Sequence, residues 1–185
     1  FYPRISSFFA EGRKKESNKL LTVGTSILLL ISIPSVIGLF GIADYIVPIL
    51  LGNAFTQSIG ILKILSILVL VFSIAYFLGH LILMASGNEN KILSATISGA
   101  ILNGIMNLCL IPRFSAYGAA ISSVAAEILV TIIMLFYSHR LFELSIDKRF
   151  IQSIVISNIL MLVVVLGAKN VLNNNYRDLI VVVIL

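Results

Sequence analysis

Charge is scarce in this chain: only 11% of its 185 residues are Asp, Glu, Lys or Arg, while 59% are hydrophobic. Soluble domains average about 25% charged residues, and a mean hydropathy of +1.08 is far from that class. A water-soluble globule is therefore excluded. Cysteine is nearly absent as well. With Cys109 alone, no disulfide can form within the chain, and its apolar neighbours predict a buried, inert thiol. Two histidines and one cysteine cannot supply a metal cluster with ordinary ligand spacing, so no metal and no other cofactor is expected. Phosphate-cradling glycine loops and nucleophile–base pairs are also missing, which argues against an enzyme.

Acids are the rarest chemistry where it matters. Of eight, seven (Glu11, Glu16, Asp44, Glu89, Glu143, Asp147 and Asp178) fall outside the apolar runs. Only Glu127 lies inside one, eleven residues into Ala116–Ser138. A carboxylate near the middle of a bilayer costs about 2.5–3.5 kcal/mol on insertion scales, so it is expected to face other helices or a wet cavity. Ala119, Ser123, Glu127 and Thr131 recur every four residues and form one small, polar stripe. The preceding run carries Ala95, Gly99, Asn103 and Asn107 at the same spacing. Two readings stay open for these groups: they line a solute path, or they hydrogen-bond between helices as structural glue.

What is abundant is apolar sequence of membrane-crossing length, which takes about 20 residues. The expected fold is all-α, a polytopic transmembrane helix bundle. Residues 1–19 read as the end of a preceding helix, broken at Pro3, followed by a basic cytoplasmic loop that could lie as an amphipathic stretch on anionic headgroups. Residues 20–138 hold four spans, 20–40, 61–83, 92–111 and 116–138. Residues 139–185 hold a loop, a fifth span at 150–168, an Asn-rich turn and a truncated sixth helix at 179–185. Gly41–Gly60 is too short and mixed for a span, and Ile46–Leu51 suggests a short interfacial turn or helix. Pro112-Arg113-Phe114-Ser115 reads as the turn between spans three and four. A first residue that is Phe and an apolar run that stops at Leu185 suggest a fragment of a longer protein.

Within the spans, Pro34 is a hinge candidate, with the Ser32 and Ser35 hydroxyls close enough to satisfy backbone groups that the proline leaves unpaired. Lys63 near a span end is expected to snorkel to the interface. Ser66, Ser73 and His80 are seven apart and share one face. Counting Lys and Arg by side gives nine against four in favour of a cytoplasmic N-terminal loop, in a multi-pass protein of the cytoplasmic membrane. That topology accounts for the formal charge of +5 without a nucleic-acid partner.

Several segments together resemble polysaccharide flippases, the O-antigen type that move lipid-linked oligosaccharides, of the multidrug/oligosaccharidyl-lipid/polysaccharide exporter superfamily. They are Phe1-Tyr2-Pro3-Arg4-Ile5-Ser6 before a basic run, Pro34, and Leu51-Gly52-Asn53-Ala54-Phe55. Further on come Ser86-Gly87-Asn88-Glu89-Asn90-Lys91, Asn107-Leu108-Cys109-Leu110-Ile111-Pro112, and Tyr117-Gly118-Ala119-Ala120 leading to Ala126-Glu127. The resemblance implies two six-helix lobes around a central cavity, with this chain covering most of the C-terminal lobe. It implies flipping of a polyprenyl-diphosphate-linked oligosaccharide by alternating access, driven by a coupling ion or the membrane potential. Lys63 and Arg4 would then be the nearest cations for an anionic lipid. A cation-coupled multidrug exporter of the same superfamily and a membrane enzyme of glycan assembly are the competing readings.

Overall fold

The computed structural model describes residues 2–139, 141 and 148–184, with side chains as far as residue 170. The described residues form six α-helices, α1 (Tyr2–Ala10), α2 (Lys14–Leu51), α3 (Ser58–Tyr76), α4 (Glu89–Phe114), α5 (Ala116–Ser138) and α6 (Lys148–Ile184), with a short 3-10 helix at Asn53–Phe55 between α2 and α3. From Phe77 to Met84, α3 continues as a π-helical segment. Five helices are long and apolar enough to cross a membrane. Large apolar side chains point outward along all of them, including Leu108 at 79% and Ile31 at 62% exposure. In water such a surface would be prohibitive; against acyl chains it is the expected one.

Successive long helices run antiparallel. One end of the bundle therefore gathers α1, the start of α2, the α3–α4 turn and the end of α5. The apolar core is densest there, where Ile5 of α1 and Leu21 of α2 meet Phe77, Leu78, Ile82 and Leu83 of the π segment. Pro3 does not break a helix. It sits in the first turn of α1, where its missing N–H has no intrahelical partner to lose. The basic stretch expected to be a loop is instead helical on both sides of Glu11–Arg13, and Ile5 and Phe8 are buried, so the apolar side of α1 is spent on the bundle rather than on lipid.

Other boundaries differ from expectation for related reasons. α2 does not stop near Phe40 but runs 38 residues, about 57 Å, with both Pro34 and Pro48 inside it. Ala43 and Val47 are buried, so tertiary packing carries the helix through the stretch expected to be an interfacial turn. The four-residue turn at 112–115 shrinks to Ser115 alone, whose φ of 50° reverses the chain between α4 and α5. Gly118 permits this tight hairpin: a Cβ there would lie 2.5 Å from the carbonyl oxygen of Leu110. The Asn-rich turn and separate sixth helix are instead parts of α6. With no Pro or Gly after Gly167, asparagine's weak helix propensity costs only tenths of a kcal/mol per residue, on the order of 0.7 at most, and the backbone stays paired. Cys109 is exposed on α4 next to Leu108, on a face the bundle does not cover. The loop residues Arg140 and Glu143 to Asp147 lie outside the described residues, as do the side chains of Lys148 and Arg149.

Candidate functional site

The polar stripes of α4 and α5 meet in a cleft of about 830 Å³ that α3 closes from the third side. Thr96, Asn103 and Gly104 line it from α4, Ser123 and Glu127 from α5, and Phe72 from α3. Helical periodicity produces this convergence. Positions 96, 99/100 and 103/104 share one face of α4, while 123, 126/127 and 130 share one face of α5. Small residues at Gly99, Ala100 and Ala126 keep the space open between close backbones.

Glu127 faces this cleft halfway along the bundle. Among the described residues its carboxylate has neither an ion-pair nor a hydrogen-bond partner; its backbone oxygen accepts the Thr131 hydroxyl at 2.8 Å. An unpaired acid at this depth stays charged only where water or a solute reaches it. Asn103 is held in place from its own helix. Asn107 Nδ2 donates to Asn103 Oδ1 at 2.5 Å, leaving the Asn103 amide NH₂ without a partner among the described residues. The two asparagines thus bond along α4, and among the described residues no hydrogen bond joins either to another helix. Asn107 is outside the cleft lining and acts on it only through Asn103, and its own Oδ1 is buried without a partner. The Ser123 hydroxyl donates to the Ala119 oxygen at 2.9 Å, which leaves its oxygen able to accept.

The remaining candidates lie elsewhere. Thr131 is outside the cleft lining, and its hydroxyl also reaches the Val71 oxygen at 3.4 Å, joining α5 to α3. Lys63 is paired: its ammonium is 2.7 Å from Asp44 Oδ1 and ties α3 to α2. His80 is exposed on the π segment with its ring 4.4 Å from that of Tyr76. Arg4 is exposed on α1, its guanidinium 5.8 Å from the Phe8 ring. Around Pro34, the Ser35 hydroxyl donates to the Ile31 oxygen at 2.7 Å, but that of Ser32 is buried and unpartnered.

A second concavity of about 320 Å³ between α2 and α3 places Ser32, Ser35 and Ser73 near the first. Val69 and Phe72 border both, so the two form one trough across three helix seams. Thr96 and Phe72 were missed from the sequence, although Thr96 stands seven residues before Asn103 and so shares its face. Asp44 was set outside the spans because the extension of α2 has no local signal.

All 185 residues match the family model described as lipid II flippase MurJ. The chain belongs to that family. It is also 23% identical, over 174 residues, to the probable low-salt glycan biosynthesis flippase Agl15 of Haloferax volcanii. The match takes in 94% of this chain but 37% of that relative, so the chain spans little more than a third of the relative's length. No solved structure matches. By its description the family is one of flippases, and the five membrane-length helices make the chain part of a multi-pass membrane protein.

Proposed function

We propose that this chain forms most of the C-terminal lobe of a two-lobed flippase that carries a polyprenyl-diphosphate-linked oligosaccharide from the cytoplasmic to the outer leaflet of the cytoplasmic membrane. The single observation that carries this reading is the mid-bundle cleft, where Glu127, Asn103, Ser123 and Thr96 face a space of about 830 Å³ bounded by apolar walls. Sugars present hydroxyls that donate and accept. A carboxylate that only accepts, an amide NH₂ that donates, and hydroxyls that do both complement them, with Phe72 supplying an apolar wall. The headgroup would cross the oil in this cleft while its lipid tail stays outside. Lys63 is already neutralised by Asp44, and Arg4 is exposed on α1, so neither is assigned to the diphosphate.

Alternating access needs a hinge, and Pro34 removes one backbone hydrogen bond from the middle of α2 beside the serine-lined concavity. The driving force, a coupling ion or the membrane potential, belongs to the same proposal. The test is Glu127→Gln in the full-length protein, with flipping of a fluorescent lipid-linked oligosaccharide followed in vesicles. Losing a charged acceptor of about 1.5–3 kcal/mol should slow flipping by roughly 10–100-fold at unchanged protein level. Wild-type flipping by the variant would remove Glu127 from the path.

A further inference from the structure

A second apolar slot lies on the outer surface of the bundle, between α2 and α6. It holds about 300 Å³ and shares no residue with the trough described above. Val36, Ile37 and Phe40 form one wall, Val165 and Leu166 the other, and Lys169 stands at its end. At about 100° per residue, the slot residues of α2 are turned roughly 150° around the helix from its serines that face the trough. The slot therefore opens away from the path assigned to cargo. Its floor is set by close helix approach, since a Cβ on Gly41 would lie 2.4 Å from Val165 Cγ1.

Depth and charge identify the occupant. Lys148 and Lys169 are twenty-one residues apart on one helix, about 31 Å, which is the thickness of a hydrocarbon core. Lys169 consequently sits at one bilayer interface. From there the slot runs two helical turns, about 10 Å, back to Leu162 and into the oil. Phe40, which lines the slot, also carries the Lys63 ammonium 5.7 Å from its ring. That ammonium is neutralised by Asp44 at 2.7 Å, whereas Lys169 has no ion pair or hydrogen bond among the described residues. Lys169 is thus the one cation in the lining of the slot among the described residues, and its unsatisfied charge is at the headgroup level above an apolar channel.

We propose that this slot binds a bilayer phospholipid with an anionic headgroup, the phosphate resting on Lys169 and one acyl chain lying between α2 and α6. The site is separate from the cargo path and stands on helix length, slot geometry and charge alone, so it does not rest on the flippase reading.

The test uses the full-length protein in nanodiscs of equal phosphatidylglycerol and phosphatidylcholine, stripped gently and weighed by native mass spectrometry. Wild type should retain phosphatidylglycerol in preference. Lys169→Ala should lower that retention about fivefold, the effect of one interfacial lysine, and Lys169→Arg should restore it. Leu166→Trp should fill the slot and lower retention of both lipids, while Glu127→Gln should leave retention unchanged. Equal retention of the two lipids by wild type, or undiminished phosphatidylglycerol on Lys169→Ala, would overturn the site. Displacement of phosphatidylglycerol by an equal amount of polyprenyl phosphate would overturn the choice of phospholipid.

Discussion

Glu127 and Thr131 stand one helical turn apart on α5, yet they do different work. The carboxylate of Glu127 looks into open space, whereas the hydroxyl of Thr131 lies against two backbone oxygens, one of its own helix and one of α3. Removing the hydroxyl by Thr131→Val should lower stability by about 0.6 kcal/mol, the average for a hydrogen bond between membrane helices. Flipping by the refolded variant should be unaffected, and a detergent melt read beside a vesicle assay separates the two effects. Asn107→Ala tests the residue scale differently. It leaves the cleft lining intact but frees the Asn103 amide to rotate, so cargo affinity should fall while the melt moves little, Asn107 having one unsatisfied oxygen already.

At the scale of elements, the α4–α5 hairpin is the rigid part and α2 the yielding one. A side chain at position 118 would collide with backbone, which has nowhere to retreat because Ser115 alone makes the turn. Gly118→Val should therefore cost about 1–3 kcal/mol, seen as a lower melting temperature in detergent and a distorted cleft. Pro34→Ala has the opposite sign. Restoring the missing N–H to a continuous helix should raise the melting temperature, and if α2 bends there during transport, single-cycle flipping should slow. Faster or unchanged flipping with a higher melting temperature would rule out Pro34 as the bending point. The Asp44–Lys63 pair joins α2 to α3 at the other end of the same helix. Both side chains are partly exposed, at 44% and 27%, so solvent screening limits the pair to at most about 1 kcal/mol.

For the molecule as a whole, the proposed orientation puts α1 and the start of α2 in the cytoplasm and the α4–α5 turn outside. A membrane-impermeant maleimide should then label Arg113→Cys in intact cells and Lys15→Cys only after lysis, in a Cys109→Ala background because Cys109 is exposed. The reverse pattern would invert the topology and the direction of transport with it. Bundle architecture was legible in the chain because bilayer oil imposes one rule on every residue: backbone groups must pair locally, so apolar length alone announces a helix. The four-residue recurrences on α4 and α5 were legible too, because periodicity fixes which residues share a face whatever they pack against.

Helix ends and partners were not legible in this way. α2 passes Phe40 because Ala43 and Val47 find burial against other helices, and Lys63 loses its freedom because Asp44 stands opposite it on a helix nineteen residues away. Asn103 and Asn107 could be placed on one face but not assigned a partner, since the choice between along-helix and cross-helix bonds depends on how closely α4 approaches its neighbours. By itself the sequence determined that the chain crosses a membrane several times and that Glu127 must look inward, because transfer of charge and apolar area are local energies. Only the tertiary structure decided which groups share the cleft with Glu127 and which are tied elsewhere, because distances between helices are set by packing across the whole bundle.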